Sequence, residues 1–225
     1  LGHHVTATVP ALVPLILEDT IFHKQLSGLS QEVEMTTIVK SCKADRRTGS
    51  LLWTHFGISG PVVMDASRFW TIGHEQGEPV EVYGNFLPGQ TQEQVKSWFI
   101  AQATDNPRRS LLKTLARRLP EGFVEALCSH VECDPQTAGA QLPRKDRDRL
   151  RAALTRFPFP IDRDRGWNYA EVTAGGVPLE EINFRTMESK LVPGLYLIGE
   201  ILDCDGRIGG FNFQWAWATG FLAGR

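Results

Sequence analysis

The chain has 225 residues, 42% hydrophobic and 22% charged, with a formal net charge of −2. That is ordinary globular composition, enough for one large domain or two small ones, and the charge gives no global field toward nucleic acid or a membrane. No run reaches the roughly eighteen apolar residues of a membrane span, and the opening LGHHVTATVP lacks the basic and apolar segments of a signal peptide.

Residues 1–90 read mostly as β. Val33, Met35, Thr37 and Val39 alternate with Glu32, Glu34, Thr36 and Ile38. Val80, Val82, Gly84 and Phe86 alternate with Glu81, Tyr83 and Asn85. Period-two patterns of this kind mark strands with one buried face. Between them, Leu51–Thr54 reads as a strand and Gly57 and Gly60 bracket a turn. Pro61 then opens a helix running to about Trp70, at a position where its missing N–H would have no partner anyway. His55 lies in this stretch, as an acid–base or substrate residue or as a turn histidine that orders the loop.

Residues 91–157 read as a helical module. Thr91 and Gln94 make a capping box, and Val95, Trp98, Phe99 and Ala103 follow on one face. Leu111, Leu112, Leu115 and Leu119 form a second apolar face; Leu150, Ala153, Leu154 and Phe157 form another. The stretch CSHVEC gives Cys128, His130 and Cys133, but a structural zinc site needs four ligands and no fourth is supplied. With Cys42 and Cys204 these cysteines form neither a CxxC pair nor a disulfide framework, so free thiols in a cytoplasmic setting are expected. Residues 105–165 carry 13 Lys+Arg against 9 Asp+Glu, a net of 13 − 9 = +4. The signs are interleaved, as in RKDRDR, and no aromatics accompany them. A solvated face is expected, with no nucleic-acid partner.

Residues 158–178 return to β, with YAEVTAGGV as a strand ending in a glycine pair. In 179–225, GLYLIGE reads as a short strand covered on both faces in a parallel sheet, followed by a loop and a helix over GGFNFQWAWATGFLAG. The loop is no calcium site. An EF-hand that began at Asp203 would have Arg207 at its fifth position and Gln214 at its twelfth. Two readings of the loop stay open on spacing alone. A helix N-terminus near Gly209–Gly210 offers free N–H groups to an electron-rich oxygen. Alternatively, the unit is a helix packed on a sheet after a plain Asp205-Gly206 turn. Ala216, Gly220 and Gly224 recur every four residues, as a smooth stripe for close packing.

The segments GEILDCDGRIGGFNFQWAWATGFLAG, EVTAGGVPLEEINFRTMESKLVPGLYLIGE, LLWTHFGISGPVVMDASR and LGHHVTATVPALVPL together resemble a family of bacterial flavoproteins. Its members are described as NAD(P)/FAD-dependent oxidoreductases or aminoacetone oxidase-like proteins, and they include reductases of unsaturated bile-acid intermediates. The resemblance covers essentially the whole chain. It implies an α+β architecture: a β-barrel-like insert with a small helical module, then the strand–loop–helix return of a Rossmann-like FAD domain. The family's GxGxxG fingerprint is absent, so the chain is expected to lack an N-terminal FAD-binding half.

The resemblance further implies FAD contacts at Gly199 and Glu200, at Asp203 near the ribityl or phosphate portion, and at Gly209, Gly210 and Asn212 near the isoalloxazine. Thr173, Gly175 and Gly176 would line the flavin side of the insert. No metal ligand is implied. The expected activity is hydride transfer between flavin and a small organic substrate or NAD(P)H. The alternative is a non-catalytic fragment or binding module that does not hold FAD by itself.

Overall fold

The computed structural model describes residues 1–225. It is an α+β fold with six α-helices and mostly antiparallel strands. In chain order the elements begin β1 (Val9–Ala11), β2 (Leu15–Leu17), β3 (Ser30–Val39), β4 (Cys42–Thr54) and β5 (Gly57–Ser59). Then come α1 (Pro61–Glu75), β6 (Val80–Asn85), α2 (Gln92–Asp105), α3 (Leu111–Leu115), α4 (Glu121–His130) and α5 (Arg144–Thr155). The last are β7 (Phe157–Pro158), β8 (Ile161–Asp164), β9 (Val172–Ala174), β10 (Ile182–Asn183), β11 (Glu188–Ser189) and α6 (Phe211–Ala223).

Seven strands form one sheet in the order β7-β6-β3-β4-β5-β2-β8. Its two outer strands, β7 and β8, are consecutive in sequence. β7 pairs with β6 and β8 with β2, so the segment Phe157–Asp164 closes the sheet into a barrel. Closure removes the free edges that an open sheet would present. The longest hairpin, β3–β4, turns at Lys40 and Ser41, both with positive φ (52° and 64°). That matches the mirror-image turn whose twist suits paired strands. The first half of β4 is exposed and charged, and its Arg46 pairs with Glu34 across the hairpin at 2.7 Å.

The helices follow their local signals. The Thr91 capping box forms as expected, with both reciprocal bonds present. α1 opens at Gly60-Pro61 and runs past Trp70 to Glu75. Barrel and helical module share a single core of 33 buried residues. Its centre is aromatic. Trp53 of β4 lies 5.6 Å from Phe22 and 6.2 Å from Phe123 of α4, and Phe86 and Phe123 approach to 4.4 Å between ring centroids. Pairs at such distances add about 0.5–1.5 kcal/mol beyond the burial of their area.

One predicted element is absent. Gly194–Ile198 is irregular, and Tyr196 and Ile198 are exposed. The physical reason is a lack of neighbours. Tyr196 makes a lone bridge to Glu188, and no parallel strand flanks it. β9 pairs antiparallel with β1, outside the barrel. A small separate core of Val177, Ile182, Met187 and Leu202 holds the segment that leads to α6.

Candidate active site: a cleft at the start of the C-terminal helix

Gly210 caps α6 in the left-handed conformation (φ 88°) without any side-chain cap. The N–H groups of Phe211, Asn212 and Phe213 therefore find no acceptor, and the first intrahelical bond runs from Gln214 N–H to the Gly210 carbonyl. These three donors and the helix dipole form a positive end. A cleft of about 460 Å³ opens at this end, between α6 and the β1–β9 pair. Leu12 and Val172 line one side; Glu200, Gly209, Gly210 and Asn212 line another. A Cβ on Gly210 would meet nothing within 4 Å, so the backbone faces open space there.

Two bonds from α1 hold the loop that delivers α6. Arg68 Nη2 donates to Asp205 Oδ1 at 2.6 Å, and the Ile208 N–H donates to Asp65 Oδ1 at 2.7 Å. Asp65 is in turn paired with Arg47 of β4 at 3.2 Å. The Asp205 side chain is buried and its Oδ2 has no hydrogen-bond partner. Burial pushes its carboxyl above the ordinary carboxylate range, and Arg68 offsets only part of that. Beside it, burial also raises the Cys204 thiol, which lines the cleft.

The predicted contact residues separate into two groups. Glu200, Gly209, Gly210 and Asn212 meet at the cleft. Glu200 Oε1 there accepts the N–H of Thr173, and the Asn212 amide is committed to Gly206, accepting its N–H at 2.8 Å and donating to its carbonyl at 3.0 Å. Asn212 can offer the cleft only its backbone.

Gly175, Gly176, Gly199 and Asp203 are engaged with the chain itself. A Cβ on Gly175 would lie 2.2 Å from the Ala7 carbonyl oxygen, and one on Gly176 would lie 2.5 Å from that of Ile201. Asp203 accepts from the Thr6 hydroxyl at 3.0 Å. Gly199 donates to Thr219 Oγ1 at 2.9 Å and accepts from Trp215 Nε1 at 3.0 Å.

His55 sits exposed in the β4–β5 turn, its ring edge-on to Phe56 at 5.2 Å, and makes no hydrogen bond. The turn is ordered instead by Thr54, whose hydroxyl accepts the Gly57 N–H. His3, which offered no signal in the sequence, is tied down. Its Nδ1 meets Glu181 Oε2 and its Nε2 lies 2.8 Å from Ser189 Oγ. Ser189 Oγ also accepts the N–H groups of Leu191 and Val192, so this trio anchors the first residues. The small stripe of α6 is likewise satisfied internally. Ala216 packs on Gly199, and Gly220 faces Ile198. Phe213, Trp217 and Phe221 instead leave a large aromatic face exposed. Cys128 and Cys133 are buried free thiols in the module core, with Cys128 pushed up to about 12.

No helix is long and apolar enough to cross a membrane. Residues 9–172 match the family model described as the HI0933-like protein barrel and H2TH domain. The chain is 37% identical over 221 residues to a ribosomal RNA dihydrouridine synthase of Escherichia coli, covering 97% of this chain and 52% of the relative. It is 32% identical over 225 residues to a 3-dehydro-bile acid delta(4,6)-reductase of Clostridium scindens, covering 100% and 55%. It is 35% identical over 213 residues to a ribosomal RNA dihydrouridine synthase of Haemophilus influenzae, covering 94% and 49%. The chain thus spans about half the length of the curated relatives it matches. With the barrel closed by β7 and β8 and the helices packed on it, the chain belongs to the HI0933-like family.

Proposed function

We propose that this chain forms the insert and the isoalloxazine-facing part of an FAD-dependent oxidoreductase. The single observation that carries this reading is the cleft at the α6 N-terminus, lined by Asn212 and Phe213 with their free N–H groups and by the Gly209–Gly210 backbone. The residues fit a flavin ring. A carbonyl at the ring edge, which gains charge on reduction, would accept from the N–H groups of Asn212 and Phe213. Leu12 and Val172 would cover an apolar ring face. Arg68 and Asp65 would hold the loop in register with the barrel. The flavin supplies hydride transfer; the protein supplies orientation, exclusion of water and the positive helix end.

The exposed aromatic face of α6 and the exposed Tyr196 and Ile198 beside it support a further partner: the remaining half of the same protein, carrying the ADP pocket. The substrate reading with most support is a uracil ring in RNA, because two of the relatives are named ribosomal RNA dihydrouridine synthases. A set of cations without carboxylate partners agrees with it. Arg108, Arg109, Lys113 and Arg117 take part in no ion pair and Arg118 stacks on Trp98, whereas Arg144, Arg149 and Arg151 of α5 are paired with nearby carboxylates. The second reading, reduction of an unsaturated steroid, rests on the bile-acid reductase relative.

The test supplies FAD and then NADH or NADPH without oxygen. The flavin should bleach and then recover its colour on addition of uridine-containing RNA. Recovery with an unsaturated steroid alone would establish the second reading. A full-length protein that stays colourless with excess FAD would sink both.

A further inference from the structure

Arg165, at the end of the barrel-closing segment, sits between two aromatic rings. Its guanidinium carbon lies 4.1 Å from the centroid of Phe56 and 3.7 Å from that of Tyr169. It takes part in no ion pair, unlike Arg47 and Arg68 on the same barrel. The loop beyond it is rigidly built. The Gly166 N–H is held by Asp164, the Arg165 N–H donates to the Pro14 carbonyl, and the Glu171 N–H donates to that of Leu12. Even so, Trp167 is 54% exposed and Tyr169 is 48% exposed. His55 lies beside the same shelf, against Phe56.

The shelf abuts the cleft. Leu12, Glu171 and Val172 all line the cleft, and Tyr169 precedes Glu171 by two residues, a chain span of about 7 Å at most. Exposed aromatic faces, a guanidinium free of carboxylates and an exposed imidazole are the set that single-stranded RNA uses, for base stacking and phosphate contact. Position adds a reason. A base can reach an enclosed ring site only by leaving its stack, and its neighbours then need new stacking partners.

We propose that the Arg165–Tyr169 loop is an RNA-contact shelf on which bases flanking the reacting uridine stack, with Trp167 and Tyr169 as the platforms. This rests on the uracil reading of the cleft and extends it to named residues outside the cleft.

The test is fluorescence anisotropy of a labelled, uridine-rich, single-stranded 12-mer RNA titrated with the 225-residue chain at low salt. The wild type should bind. Trp167→Ala and Tyr169→Ala should each weaken binding about tenfold or more. Trp167→Phe and Tyr169→Phe, which keep an aromatic face, should retain most of it. Phe184→Ala, at a still more exposed aromatic in the β10–β11 hairpin, should change nothing. Wild-type affinity in a folded Trp167→Ala/Tyr169→Ala double variant would overturn the shelf and leave the RNA reading standing. No binding by the wild type would also overturn the shelf, while flavin bleaching in the experiment above would still judge the cleft. Weakened binding of a bile acid by the double variant, with RNA ignored, would overturn it in favour of a steroid occupant.

Discussion

Arg68 donates to Asp205 Oδ1 at 2.6 Å, and with this bond the first barrel helix grips the loop that carries the C-terminal helix. Three residues earlier on the same face, Asp65 accepts the Ile208 N–H. The barrel therefore sets the height and angle at which the α6 N-terminus meets the cleft. The chemistry proposed for the cleft depends on that placement, because free N–H donors act only over hydrogen-bond distances.

Removing Arg68 should cost more than neutralising Asp205. Arg68→Met leaves a buried carboxylate without its charged partner, with an expected loss of about 1–3 kcal/mol, reduced by the partial exposure of Arg68. Asp205→Asn removes the charge and keeps an acceptor, so it should be near neutral at pH 7. The folded-state value of Asp205 lies above its ordinary 3.8. Its contribution thus favours folding most below 3.8 and is lost as pH rises through the raised value. Urea denaturation across the acid range should show Asp205→Asn gaining on the wild type as pH increases.

His23 should give a pH dependence of the opposite sense. It is fully buried, both ring nitrogens lack partners, and burial holds its pKa below 6.5 against the pull of Asp19. A depressed histidine stabilises the fold above its unfolded value, and that contribution disappears as pH falls below 6.5 through the folded value. His23→Leu should flatten this part of the stability profile. At pH 8 it should stay within about 1 kcal/mol of the wild type.

Two glycines with similar φ should respond differently to alanine. At Gly175 (φ 91°) the new Cβ would run into the Ala7 carbonyl. Gly175→Ala should lose about 3 kcal/mol or more and free the N-terminal segment to proteolysis. At Gly210 (φ 88°) the space is open, so Gly210→Ala should lose only the backbone strain, about 1–2 kcal/mol. Urea denaturation with limited proteolysis separates the two.

Barrel and helical module should unfold together, because Trp53, Phe86, Phe123 and Phe157 belong to one buried cluster. Phe123→Ala, on α4, should destabilise by about 3–5 kcal/mol. Tryptophan fluorescence and far-UV circular dichroism should follow one coincident transition. Two separated transitions would make the module an independent unit.

The elements most legible in the sequence were those with their own local signal: the Thr91 box, the Gly60-Pro61 start, and the alternation in β3 and β6. The first half of β4, CKADRRTGS, escaped because its faces are charged and its hairpin turns on Lys40-Ser41, without glycine or asparagine. GLYLIGE misled because an apolar run fixes only the wish to be covered, and its neighbour here is the two-residue antiparallel β11, met through a single bridge. At the cleft, Gly209 and Gly210 were legible as a glycine-rich approach to a helix, whereas Glu200 and Asn212 came only from the family resemblance. Arg68 and Asp65 were not. Their role depends on α1 lying against a loop more than 130 residues away, which neither periodicity nor spacing reveals. The resemblance sets Gly175 and Gly176 on the flavin side of the insert; the structure adds that the Ala7 and Ile201 carbonyls stand where a Cβ on either would go.

The most direct test of the cleft is titration of riboflavin, the ring without its ADP portion, into this chain, followed by quenching of flavin fluorescence. Saturable quenching is expected, weakened about tenfold or more (about 1.4 kcal/mol) by Gly210→Asp, which sets a carboxylate against the ring carbonyl. Absence of saturable quenching, or equal quenching by a folded Gly210→Asp variant, would contradict the flavin reading of the cleft.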